Sequence, residues 1–147
     1  MEKIFEVQSI KQVIRETEYD KVVIRSPQDA FHLMAKEIAF EDREVFLVAC
    51  LSTKNEVVGF HRCHVGSLNA SIVSPREVFK MAILNNSASI IVGHNHPSYD
   101  PTPSKEDITV TKRLVDCGRI LGIEVLDHLI IGGDEKFISL HEKGYMG

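Results

Sequence analysis

What is scarce in this sequence narrows it first. Across 147 residues there are only three cysteines, Cys50, Cys63 and Cys117, widely spaced and outside any C-x-x-C pair. An odd, scattered set argues against a disulfide framework and fits reduced thiols, so the chain is expected to work in the cytoplasm. No apolar run approaches the roughly 20 residues that a bilayer-spanning helix requires. The opening MEKIFEVQSIKQ is charged where a secretion signal would carry an apolar stretch. A membrane role is therefore not expected. Excess positive charge is also absent: 17 basic against 21 acidic side chains leave a net charge of −4. That balance speaks against a surface devoted to neutralising phosphates, so DNA remains a partner only through some local basic patch. There is no dinucleotide-binding glycine fingerprint, internal repeat, low-complexity segment or linker. With 44% hydrophobic residues, the chain can bury a core of its own as one domain.

What is present alternates between helical and extended patterns. Residues 1–25 are weakly periodic and read as an N-terminal extension, a short strand and then a helix within the first 20 residues, followed by a brief extended piece. The domain proper is expected over residues 26–147. Ser26, Pro27 and Asp29 make a helix start, with Phe31, Met34 and Ile38 following at helical spacing. Val45 to Leu51 and Val57 to His64 read as a hairpin across the turn STKN. Ser74 and Glu77 suggest a capping box, with Pro75 at the first helical position and Asn85-Asn86 at the end. SASIIVGHN reads as a buried strand, and Ser104 caps a third helix expected to stop near Gly118. IEVLDHLIIGG and EKFISL supply two more strands. The predicted class is α/β (α+β), a mixed sheet flanked by helices.

The chemistry concentrates in VGHNHPSYDPTPSKED, Val92 to Asp107. Side chains alternate along a strand, so Ile90, Val92, His94 and His96 are expected on one face, at a strand's carboxyl end. Two imidazoles so placed can reach one metal ion, although polar residues closing a strand, bonded to backbone or solvent, are the commoner explanation of such a pair taken alone. A third ligand must come from Asp107 or Asp100. Asp107 lies one turn before Val110 on the stripe with Leu114 and Cys117, and so faces the sheet; it also suits the third position of a capped helix. Asp100, between Tyr99 and Pro101, reads as a turn residue. Two nitrogens and one carboxylate would leave zinc an open position, the stoichiometry of catalysis.

GHNHPSYDPTPSKED resembles the JAMM motif, His-x-His, seven residues, Ser, two residues, Asp, met here by His94, His96, Ser104 and Asp107. The flanking GSLNASIVSPREVFKMAI and TKRL…GIEVLDHLIIGG are similar to the RadC-like branch of the JAB/MPN family, over about Ser26 to Leu140. The resemblance implies a cytidine-deaminase-like fold and a zinc-dependent hydrolase of amide bonds, peptide or isopeptide. It implies Zn2+ held by His94, His96 and Asp107, with Ser104 steadying the oxyanion. The general base would be Glu44, just before a strand in DREVFLVACL, with Glu41 as its rival. The partner so implied is a protein or peptide-like substrate, and a homo-oligomer is open. A non-catalytic binding module and a DNA-processing protein are the competing readings.

Two departures stand out. Tyr99 occupies a position where this branch commonly has glycine. The helix-hairpin-helix region of full-length members is expected to be missing, because only about 25 residues precede the matched stretch. Elsewhere, His61 and Cys63 are expected on one strand face and His64 on the other, which leaves no compact cluster. Asp127 and His128, adjacent on a strand, are expected to point oppositely, with a supporting role near a metal open to either. The His-x-Glu and Pro-Cys-x-x-Cys signatures of zinc deaminases are missing, which disfavours deamination.

Overall fold

Two neighbouring strands are buried at every residue, and the reason is a sheet covered on both faces. A computed structural model describes residues 1–67 and 73–147. Part of the GSLNASIV stretch, residues 68–72, lies outside the described residues. The element order is α1 (Pro27–Ile38), β1 (Val45–Leu51), β2 (Val57–Val65), α2 (Pro75–Leu84), β3 (Ser89–Asn95), α3 (Lys105–Leu121), β4 (Glu124–Ile131) and β5 (Phe137–Ser139). The strands form one five-stranded sheet in the order β2-β1-β3-β4-β5. Only β3 and β4 pair in parallel, and α3 makes the crossover between them; the other pairings are antiparallel. This is a mixed α/β sheet flanked by helices, as the alternating sequence pattern predicts.

The alternation of side chains sends each strand's residues to two separate cores. Phe46, Val48, Cys50, Ile90, Val92 and Ile130 pack beneath α2 and α3, against Val78, Phe79, Val110 and Leu114. Leu47, Ala49, Leu51, Ile91, Leu129 and Ile131 pack beneath α1, against Phe31, Met34 and Ile38. Gly93 permits the second layer to close, because a Cβ there would collide with the Met34 sulfur.

Local signals were met with some corrections. No helix or strand forms in residues 1–20, and the extended piece after them makes only one bridge, Val23 to Glu56. Ser26 and Ser74 are the residues before their helices, yet neither side chain makes a cap bond, so the Ser74–Glu77 box is not formed. Asp29 instead accepts from the backbone N–H of Arg25 at 2.8 Å. Helix α3 does not stop at Gly118 but runs to Leu121, and Gly122 ends it at φ 73°. The physical reason is that Gly118 serves packing, since a Cβ there would strike the Ile123 carbonyl, while Gly122 alone takes the left-handed cap. Cys117 is only half-buried, with Gly118 on the covered stripe in its place.

The β1–β2 pairing slips between Phe46 and Leu47, which stand opposite His64 and Arg62. Cys63 has no residue opposite it, and this bulge turns His64 to the same face as His61, against the strict alternation expected. Among the described residues, no helix is long and apolar enough to cross a membrane.

Candidate metal centre

Three elements bring four side chains to one point at the carboxyl end of β3. His94 is the last residue of β3 on the α3 side, opposite Phe46 and Ile130, and is completely buried. His96 follows just past the strand and is held there by its backbone N–H donating to the Ile131 carbonyl at 2.9 Å. Asp107 arrives on the first turn of α3. The capping box forms here in full: Ser104 Oγ accepts from the Asp107 N–H at 3.1 Å, and Asp107 Oδ2 accepts from the Ser104 N–H at 2.8 Å. The same carboxylate faces both histidines. Its Oδ1 lies 3.1 Å from His94 Nε2 and its Oδ2 lies 3.2 Å from His96 Nε2, while the two Nε2 atoms are 3.1 Å apart.

These separations are the test of fit for a metal. A tetrahedral ion with bonds of 2.0–2.1 Å spaces its ligand atoms roughly 3.3–3.4 Å apart. The two imidazole nitrogens stand 3.1 Å apart and each faces its own oxygen of the carboxylate at 3.1 and 3.2 Å, within a few tenths of an ångström of that spacing. The tautomer of His96 agrees, because its Nδ1–H donates to the Asp100 carbonyl at 2.8 Å, which leaves the Nε2 lone pair directed at the carboxylate. Lone pairs and a carboxylate converging in a buried pocket require a cation between them, a proton or a metal.

The electrostatics of the group show the same pull. Burial by itself would raise the Asp107 carboxyl, but hydrogen bonds from His94 and His96, the charge of His94 and the Ser104 N–H hold it well below the usual carboxylate range. For His96, burial works to lower the ring, and the bonds to Asp107 and the Asp100 carbonyl outweigh it, so its affinity for a proton is raised.

Glu44 stands one step back. Its Oε1 is 4.0 Å from His96 Nε2, and Glu44, His94 and His96 offer ligand atoms all within 4.8 Å of one another. Asn95, on the opposite face of β3 from the histidines, fixes this approach. Its Oδ1 accepts from the Val45 N–H at 2.7 Å and its Nδ2 donates to the Arg43 carbonyl at 3.1 Å, pinning the chain on both sides of Glu44. The rival Glu41 is held elsewhere, its Oε1 accepting from Arg62 at 2.8 Å. Asp100 contributes only its carbonyl to the site, since its carboxylate closes a local turn onto Thr102.

Behind His94 lies a buried chain of which His128 alone carried a signal in the sequence. His94 Nδ1 is 2.8 Å from His128 Nε2, His128 Nδ1 meets the Thr111 hydroxyl, and that hydroxyl is 2.7 Å from the Asp107 carbonyl. Burial, with the neighbouring His94 next, pushes the His128 ring well below its ordinary pKa and keeps it neutral. Asp127 points the other way, as alternation predicts, and accepts from Ser139 Oγ at 2.7 Å. Burial raises its carboxyl, against the pull of Ser139 and the neighbouring N–H groups. Thr111 gave no sequence signal, because a threonine inside a helix is ordinary until its hydroxyl is seen to meet a ring from another strand.

Tyr99 keeps the glycine-like backbone that its position demands, at φ 66°. Its ring is about half exposed and stands edge-on to the exposed Phe40, with ring centres 6.4 Å apart. Left-handed backbone costs a non-glycine residue on the order of 1 kcal/mol.

The RadC-like JAB domain family matches residues 24–145. Among curated proteins, a UPF0758 protein of Geobacillus thermodenitrificans is 59% identical over 127 residues, covering 86% of this chain and 56% of that protein. One from Desulfitobacterium hafniense is 61% identical over 124 residues, 84% of this chain and 54% of its own. One from Bacillus cereus is 54% identical over 136 residues, 92% of this chain and 60% of its own. The chain thus spans about half the length of the curated relatives it matches.

Proposed function

The chain belongs to the RadC-like JAB domain family, and from that premise we propose that it is a zinc-dependent hydrolase of amide bonds in a peptide-like substrate. The observation that carries this reading is the triangle of His94, His96 and Asp107, closed to 3.1–3.2 Å, with Glu44 standing off at 4.0 Å. The difference separates ligands from base. Asp107 is at the ligand-to-ligand spacing, whereas Glu44 is further out, where a carboxylate can reach a water rather than the ion.

His94, His96 and Asp107 would hold the zinc ion, which when bound would supply a Lewis acid able to acidify a water to a pKa of about 7. Glu44 takes the proton of the attacking water and delivers it to the leaving nitrogen, without which an amide does not cleave. Ser104 accepts from the Asp107 N–H, so its own hydroxyl proton is free to be given to the developing oxyanion. Its exposure at the helix start leaves it within reach of a substrate carbonyl. The three cysteines are free thiols in the structure, which suits a reducing, cytoplasmic setting. A DNA substrate draws no support from a net charge of −4.

The test is metal content followed by turnover. Purified protein is expected to carry or take up one zinc per chain, measured by plasma mass spectrometry, and to cleave at least one member of a panel of peptides and isopeptide-linked conjugates. Protein that takes up no zinc removes the hydrolase reading and leaves a binding module. Zinc uptake that survives Asp107→Asn but is lost in Glu44→Gln would exchange the roles of the two carboxylates.

A further inference from the structure

The buried chain Thr111–His128–His94 can run in two directions, which differ in whether His94 Nε2 carries a proton or a lone pair. A hydroxyl has one proton, and Thr111 has two acceptors within reach, the Asp107 carbonyl at 2.7 Å and His128 Nδ1. If Thr111 donates to His128 Nδ1, then His128 carries its proton on Nε2 and donates to His94 Nδ1 across 2.8 Å. His94 then carries its own proton on Nε2, which donates to Asp107 Oδ1 at 3.1 Å. If Thr111 donates to the Asp107 carbonyl instead, His128 Nδ1–H donates to Thr111, His94 Nδ1–H donates to His128, and His94 Nε2 is left as a bare lone pair. The first direction suits a site without metal and the second a site with one. Both place one proton on each ring and one on the hydroxyl, so the count balances.

Resting on the zinc reading above, we propose that metal occupancy reverses this chain, with the Thr111 hydroxyl as its pivot and His128 as the positioning residue that sets the tautomer of His94. Burial makes the reversal consequential. His94, His128 and Thr111 are all 0% exposed, and Phe46 stands across both rings, stacked on His94 and edge-on to His128. No solvent is at hand to replace a lost partner, so a chain fixed in one direction would leave either the empty or the loaded state with opposed lone pairs or opposed protons. A hydroxyl, which donates or accepts by rotating, removes that conflict.

The experiment is long-range proton–nitrogen NMR of the histidine rings in the uniformly labelled 147-residue chain, without metal and with one equivalent of zinc. His128 is expected as the Nε2–H tautomer in the metal-free protein and as Nδ1–H with zinc. Chelator competition should find zinc bound about 10–100-fold more weakly by His128→Leu. An identical His128 tautomer in the two states overturns the switch while leaving the zinc reading intact. Wild-type protein that takes up no zinc at all overturns both, and the two failures are told apart by that uptake.

Discussion

Two groups of histidines sit on one sheet, and they have opposite characters. At the end of β3, each ring nitrogen of His94 and His96 faces a partner: a carboxylate, a carbonyl or another imidazole. On β2, His61 and His64 share a face through the bulge at Cys63, yet the Nε2 atom of each is buried without a hydrogen-bond partner among the described residues. For His61, burial lowers the ring's affinity for a proton against the pull of Glu77. Burial, with Glu77 adding to it, pushes the Cys63 thiol up to about 11, which makes it an unreactive neighbour. Among the described residues, only the group at the β3 end gathers three candidate ligands. Density of histidine along a strand is therefore a poor guide to a metal. What matters is delivery of ligand atoms from separate elements to one point.

The comparison breaks most sharply on metal uptake. Replacing His94 and His96 together by alanine is expected to abolish zinc binding, from one ion per chain to none, whereas His61→Ala with His64→Ala should leave it unchanged; equal loss in both would mean that the two groups do not differ as metal ligands. A smaller effect concerns rate alone. Glu44→Gln should retain the ion and lose roughly 10²–10⁴-fold in turnover of any peptide substrate the panel identifies. Turnover at the wild-type rate would move the base elsewhere.

Acidity sharpens the contrast further. Because hydrogen bonds to Asp107 and the Asp100 carbonyl outweigh burial, His96 holds its proton above the ordinary pKa of about 6.5. At pH above that raised value the ring is neutral and zinc affinity is level. Below it a proton must be displaced, and affinity should fall by roughly tenfold per pH unit for each proton released. A flat profile across this range is incompatible with His96 as a ligand. The smallest effect belongs to β2. Removing the orphaned nitrogens with His61→Leu and His64→Leu should leave stability unchanged or raise it by up to about 1 kcal/mol, read from the urea midpoint. A loss of several kcal/mol would show that those nitrogens have partners after all.

The parts of the site that could be read in advance are those governed by short-range spacing. His94 and Asp107 lie on predictable faces because strand alternation and the helical repeat are local rules. The Ser104–Asp107 box was readable for the same reason, while the similar Ser74–Glu77 pattern formed no box, so the spacing permits the bond without compelling it. Asn95 carried a faint signal, a polar residue in an apolar strand, but its service to Glu44 depends on β1 lying beside β3. The bulge at Cys63 had no signal, and it reversed the expected facing of His64.

By itself the sequence determined the donors and their order: two imidazoles two residues apart, a cap that starts a helix, and an aspartate on that helix's inner stripe. Each follows from backbone geometry over a few residues. The tertiary structure alone decided which carboxylate stands at 3.1–3.2 Å and which at 4.0 Å, and which hydroxyl lies behind His94. Those distances arise where β1, β3, β4 and α3 meet. Their relative placement is set by packing two cores against a single sheet, a sum of many contacts that no short stretch of chain encodes.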